Sequence, residues 1–197
     1  AGARLATGCG YKFLNGGPGA PSFIYASEDI ADRLVTPLPG WMGHAAPFDF
    51  SADYAPKAGA ARFAAGTPPI LSLTAMNGAL EIFEDIDVAA LERKAMRLGD
   101  LCLQRAAALG LSSISPPIGA RRGGHVSLIH DEGYAIVQAL INDNVIGDFR
   151  APNIMRFGFS PLIVRYTDVW DAMDRLAHIL ETRAWDRPEF KRRAAVT

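Results

Sequence analysis

The sequence predicts an α/β chain whose last third forms a separate, small α+β layer, and three observations carry that expectation. Two short apolar runs, Arg4 to Cys9 and Ser22 to Ala26, flank Asn15-Gly16-Gly17-Pro18-Gly19-Ala20-Pro21. That cluster must turn, because glycine permits positive φ while proline fixes its own φ and lacks a donor. From Asp87 to Leu109, the residues Leu91, Ala95, Leu98, Cys102 and Ala106 recur at helical spacing with charges on the other face. Beyond them, strand-like and helix-like segments follow in the order ββαββα.

Taken in order, Arg4 to Cys9 reads as a short strand and Ser22 to Ala26 as a buried one. Ser27-Glu28-Asp29-Ile30 has the hydroxyl and acidic first turn of a helix start, and a brief helix should end near Pro37. Pro37 to Pro69 keeps neither period, and irregular chain of that length in a compact domain is usually functional. Pro69 to Phe83 reads as a helix with proline in its first turn, and Gly110 is the natural stop of the long helix. The last third is read as strands at Ser112 to Ser115, Gly124 to His130, Val145 to Phe149 and Ile154 to Phe157, with helices at Asp131 to Asp143 and Val169 to Thr182. Arg121-Arg122 reads as a solvated turn, and the tail beyond Trp185 as polar and frayed. The division between the two parts is expected near the end of the long helix, giving 1–105, 106–184 and a tail of 185–197.

Composition narrows the function. With 20 basic and 21 acidic residues the chain lacks the footprint of a nucleic-acid binder or a polybasic membrane patch, so a small molecule is the default partner. No apolar run approaches the roughly 18 to 20 residues that span a bilayer. Cys9 and Cys102 have neither metal-ligand spacing nor the density of a disulfide framework, so both are expected to pack, no metal is expected, and a cytoplasmic location fits. The opening Ala1-Gly2-Ala3 has no initiator methionine and runs at once into strand-like sequence, so it reads as cut.

The most informative stretch is Gly8-Cys9-Gly10-Tyr11-Lys12-Phe13-Leu14-Asn15-Gly16-Gly17-Pro18-Gly19. A lysine between a strand end and a glycine-rich turn has a fixed backbone, as a covalently reacting amine requires; the plainer alternative is a solvated lysine at a strand end. The glycines favour a structural turn over a phosphate cradle, since Pro18 removes a donor.

Tyr11 to Gly19 closely resembles the lysine segment of kynureninases, enzymes of the aminotransferase class V group of fold type I that depend on pyridoxal 5′-phosphate (PLP). Further kynureninase-like blocks follow in order: Gly40-Trp41-Met42-Gly43-His44, then Arg62-Phe63 with Gly66-Thr67-Pro68-Pro69-Ile70, then Val145-Ile146-Gly147-Asp148-Phe149-Arg150, then Met155-Arg156-Phe157-Gly158 with Pro161-Leu162. The resemblance runs to about Thr182 and identifies the chain with the carboxy-terminal half of the family. It implies that the first part ends a large PLP-binding domain and that the rest is the small carboxy-terminal domain.

It implies roles as well. Lys12 would hold PLP covalently and move the proton at the substrate Cα; Tyr11 would bind the phosphate and serve as a catalytic proton donor, the alternative being a packed aromatic. Trp41 and Thr67 would reach the phosphate of a second subunit in a homodimer; the alternatives are a loop anchor and a helix cap. His44 belongs to the same motif, with a structural role equally open. Arg156 would grip the substrate α-carboxylate, for which a guanidinium fork is the right group, while Arg150 is read as structural, paired with Asp148. The implied reaction is hydrolytic Cβ–Cγ cleavage of L-kynurenine or 3-hydroxykynurenine, in tryptophan catabolism and NAD biosynthesis. Cysteine desulfurase-like enzymes of the same class are the alternative; they usually show histidine before the lysine and a reactive loop cysteine, whereas Gly10-Tyr11 precedes Lys12 here. In the family the groups that hold the cofactor ring precede the lysine, and all would lie before Ala1. The 197 residues alone are therefore expected to be inactive, a dimerisation or folding fragment as they stand.

Overall fold

A computed structural model describes residues 2–192. Contacts divide the chain into two compact units, Ala1–Asp85 and Ile86–Thr197. No helix among the described residues is long and apolar enough to cross a membrane.

The first unit opens with an antiparallel hairpin of β1 (Leu5–Cys9) and β2 (Ser22–Ala26), in the register Leu5↔Ala26 to Cys9↔Ser22. β2 was expected to be buried, yet Phe23, Ile24 and Tyr25 are all exposed, because among the described residues β2 pairs with β1 alone. Cys9 is likewise exposed and does not pack. α1 (Glu28–Ala31) starts at Ser27, whose hydroxyl donates to the Asp29 carboxylate, not to the backbone. Two 3₁₀ turns, Trp41–Gly43 and Gly59–Phe63, lie within the long irregular stretch, and α2 (Ile70–Glu81) follows it.

One arginine ties this stretch together. Arg62 is 8% exposed; it donates from Nη1 to the carbonyls of Asp32 and Leu34, from Nε to that of Lys57, and from Nη2 to the Asp32 carboxylate at 2.8 Å. A buried charge bonded in this way replaces the apolar core that a glycine- and proline-rich segment lacks.

The second unit has a conventional core. α3 (Val88–Ala108) turns Leu91, Leu98, Cys102 and Ala106 inward, as its spacing predicts. Asp87 caps it by accepting the Ala89 N–H at 2.9 Å, and Gly110, at φ 74°, ends it. Four antiparallel strands follow in the order β3 (Ser112–Ser113), β4 (His125–Ile129), β6 (Ile154–Gly158), β5 (Asp148–Arg150). α4 (Gly133–Asn142) and α5 (Tyr166–Thr182) complete the layer. Val126, Leu128, Met155 and Phe157 alternate onto one sheet face and join Leu98, Ile136, Leu140, Met173 and Leu176 in the core.

Because α3 contributes six buried residues to this unit, the contact boundary lies at 85/86, before the helix, and not at 105/106 near its end. The tail also differs from the expectation: Trp185 is buried, α6 (Pro188–Lys191) packs on α4, and Tyr134 donates to the Arg192 carbonyl at 2.9 Å. Residues 193–197 of the tail lie outside the described residues.

Candidate functional site

Lys12 sits on a braced loop. Gly10 N–H donates to the Pro21 carbonyl at 2.9 Å, Gly16 N–H to Gly10 at 3.0 Å, and Asn15 N–H to Lys12 at 3.0 Å, which closes a turn over Lys12 to Asn15. Neither glycine has room for a side chain. A Cβ at Gly10 would stand 2.7 Å from the Met76 sulfur, and one at Gly16 would stand 2.6 Å from it. Met76, buried on α2, thus presses the loop flat while Phe13 meets Phe83 at 6.2 Å. The Lys12 ammonium lies 5.0 Å from the centre of the Tyr11 ring. Both residues are exposed, so the described residues do not desolvate the Lys12 amine.

The two motifs that supply the further donors are packed together. A Cβ at Gly40 would fall 1.8 Å from the Ala65 carbonyl oxygen, so only glycine allows the two chain segments to touch there. Gly43 is similarly closed in by the carbonyls of Arg62 and Ala64. This contact brings the indole Nε1 of half-exposed Trp41 to 3.8 Å from where a Gly66 Cβ would stand, beside Thr67. Thr67 does not cap α2: the cap position is Pro69, with no side-chain bond. The indole N–H therefore reaches Gly66, the residue before exposed Thr67, at a turn.

His44 is committed to structure. Its Nδ1 accepts the Ala46 N–H at 3.0 Å, its Nε2 faces the Asp53 carbonyl at 3.2 Å, and its ring stands edge-on to Tyr54. With Nδ1 accepting, Nε2 is the nitrogen placed to donate, and the ring holds the loop that follows Trp41.

In the second unit, Arg156 lies on the sheet face opposite the buried Met155 and Phe157. Antiparallel register sets it directly across from Asp148. Its Nε and Nη2 donate to the two Asp148 carboxylate oxygens at 2.7 and 2.6 Å. These bonds hold the Asp148 carboxyl below the usual carboxylate range and raise Arg156 further above its own. The pairing expected between Asp148 and Arg150 is looser, at 3.6 Å.

Sequence reasoning gave Arg62 no role of its own, and it missed Asp148 as the partner of Arg156 and the burial of Arg122. The doublet at 121–122 is not a solvated turn throughout. Arg121 is exposed, but the Arg122 side chain is 2% exposed and donates from Nη2 to the Asp100 carboxylate at 2.5 Å and to the Met96 carbonyl at 2.7 Å. Cys102 packs as expected, and burial pushes its thiol up to about 12.

Comparison with known proteins gives the lineage. A family model described as "Kynureninase C-terminal domain" matches residues 91–176. A kynureninase from Pseudomonas fluorescens is 46% identical over 201 residues, spanning 100% of this chain and 48% of that protein. One from Burkholderia mallei (strain SAVP1) is 45% identical, spanning 98% of this chain and 47% of its own length. Among solved structures, the apo cysteine desulfurase of Thermococcus onnurineus NA1 superposes with a TM-score of 0.70 at 20% identity, over 91% of this chain and 48% of that one. At that identity the match speaks to the fold alone. The chain spans about half the length of the curated relatives it matches. Residues 91–176 belong to the kynureninase C-terminal domain family, and the whole chain is related to the carboxy-terminal half of the kynureninases.

Proposed function

We propose that this chain provides the cofactor lysine, the phosphate donors and the carboxylate clamp of a kynureninase-type enzyme dependent on PLP. The observation that carries the reading is the arrangement of the first unit: Lys12 is locked on a turn by Gly10, Gly16 and Met76, while Gly40 packs against Ala65 and the Trp41 indole reaches Gly66, next in sequence to Thr67. An amine on a rigid loop and two neutral donors at an exposed turn suit an aldehyde that bears a phosphate. PLP, when bound, supplies the electron sink that delocalises negative charge at the substrate Cα.

The chain's own groups do the rest. Lys12 takes the Cα proton and returns it, Tyr11 donates its hydroxyl to the phosphate, and Arg156 holds the α-carboxylate so that the Cα–H bond keeps one orientation. The substrates are L-kynurenine and 3-hydroxykynurenine, and hydrolytic Cβ–Cγ cleavage yields anthranilate or its 3-hydroxy form with L-alanine. Residues 1–85 end the large cofactor-binding domain and residues 86–184 form the small one. Exposed apolar side chains on β2 and around α2, among them Phe23, Ile24, Ile70 and Leu71, support burial against the rest of a cytoplasmic homodimer. A desulfurase chemistry finds no support in the thiols, since Cys102 is buried and Cys9 lies on a strand.

In the holoenzyme that contains this chain, Lys12→Ala should lower anthranilate release, followed by fluorescence, by about a thousandfold or more. Retention of the wild-type rate overturns the reading. The 197 residues alone should release none.

A further inference from the structure

We infer that Asp148 is a positioning residue that aims Arg156 at the substrate carboxylate; the inference rests on the clamp role proposed for Arg156. A guanidinium presents five N–H bonds in one plane, and its side edge and end edge can each take a carboxylate. Asp148 takes the side edge, through Nε and Nη2 at 2.7 and 2.6 Å. The end edge, formed by Nη1 and the outer N–H of Nη2, is left to a second carboxylate.

Register builds the device. Asp148 stands on β5 directly opposite Arg156 on β6, and Arg156 is in turn opposite Ser127 on β4, so the guanidinium rises from a strand that is paired on both sides. The neighbouring core-facing residues Met155 and Phe157 hold that strand in place. A free arginine side chain carries large rotamer entropy, which a ligand would have to quench on binding; fixing the plane beforehand removes that cost.

An ordinary cross-strand ion pair is the competing account, and the charges separate the two. Arg150 stands 3.6 Å from the same Asp148 oxygen, so two guanidiniums face one carboxylate and the cluster keeps an excess of positive charge for an incoming anion. Removing the Asp148 charge would make it more positive still. If field strength alone mattered, a carboxylate would then bind better. Positioning requires the opposite sign.

The test uses the holoenzyme with Asp148→Asn, Asp148→Ala, Arg156→Ala and the double variant Asp148→Ala with Arg156→Ala. KM and kcat are read for L-kynurenine, and equilibrium binding is read for L-alanine, which carries the α-carboxylate and no aryl group. Asp148→Asn, which keeps the shape and one acceptor, should raise KM and the L-alanine dissociation constant by about tenfold with kcat within about twofold. Asp148→Ala should cost at least as much, yet add nothing to Arg156→Ala in the double variant. Unchanged or tighter L-alanine binding in Asp148→Asn, or additive losses in the double variant, overturns the inference while the clamp role of Arg156 stands. If Arg156→Ala itself leaves KM and L-alanine binding unchanged, the clamp reading falls and this inference with it.

Discussion

Arg122 shows why single residues are the hardest scale to read from sequence. In Gly119-Ala120-Arg121-Arg122-Gly123-Gly124 its neighbours suggest an open turn, yet besides the nearby Pro117 carbonyl it bonds Asp100 and the Met96 carbonyl on α3, more than twenty residues away. A glycine admits it: a Cβ at Gly99 would stand 2.9 Å from Arg122 Nη2. Gly99, buried inside a helix that otherwise carries larger side chains, was the one available signal, and it identifies a close approach without naming what approaches. Arg156, by contrast, was legible as a candidate because its motif was, while its partner was not, since only the strand register brings Asp148 across from it. Arg122→Ala should destabilise the second unit by about 3 kcal/mol, because Asp100 loses its cation and the guanidinium leaves a hole against α3. Urea unfolding followed by circular dichroism measures this, and a loss under about 0.5 kcal/mol would show the pair to be ornamental.

At the scale of elements, the pattern succeeded where periodicity and caps agreed. α3 begins after Asp87 and ends before Gly110 because a carboxylate satisfies a first-turn N–H and only glycine readily adopts the φ of 74° found there. The strands fared differently. The run Ser22 to Ala26 was placed correctly, but its burial was not, because apolar content reports what a strand can bury against and not what is present to cover it. Asp87 offers a pH test with a definite sign. Hydrogen bonds from Ala89 above all, and from Ala90 and Arg93, hold its carboxyl below the ordinary 3.8, so the folded state favours the ionised form. Its contribution is present in full above about pH 4 and is lost as pH falls through the lower, folded value. Asp87→Ala should therefore lower the melting temperature by a few degrees at neutral pH, and the two proteins should converge at about pH 2. A gap that persists unchanged in acid would contradict the cap.

For the whole molecule, the two units answer different questions. Ile86–Thr197 holds a continuous core, and its α+β order was readable because strand and helix periods alternate cleanly there. Ala1–Asp85 buries few apolar side chains, Ala31 and Met76 among its described residues, and is held by Arg62 and by glycine contacts that no periodicity reveals. Its site was visible only as ordered motifs, and the structure gives those motifs a physical basis: Gly10 and Gly16 for the lysine turn, and Gly40 for the packing of the Trp41 motif on Ala65. The chain has four lysines, Lys12, Lys57, Lys94 and Lys191, and of these Lys12 stands on the glycine-braced turn. Reduction of the PLP-loaded holoenzyme with borohydride, followed by peptide mass mapping, reads directly which amine carries the cofactor. The account predicts a single stoichiometric label on Lys12; a label on Lys57, Lys94 or Lys191 with Lys12 unmodified would contradict it.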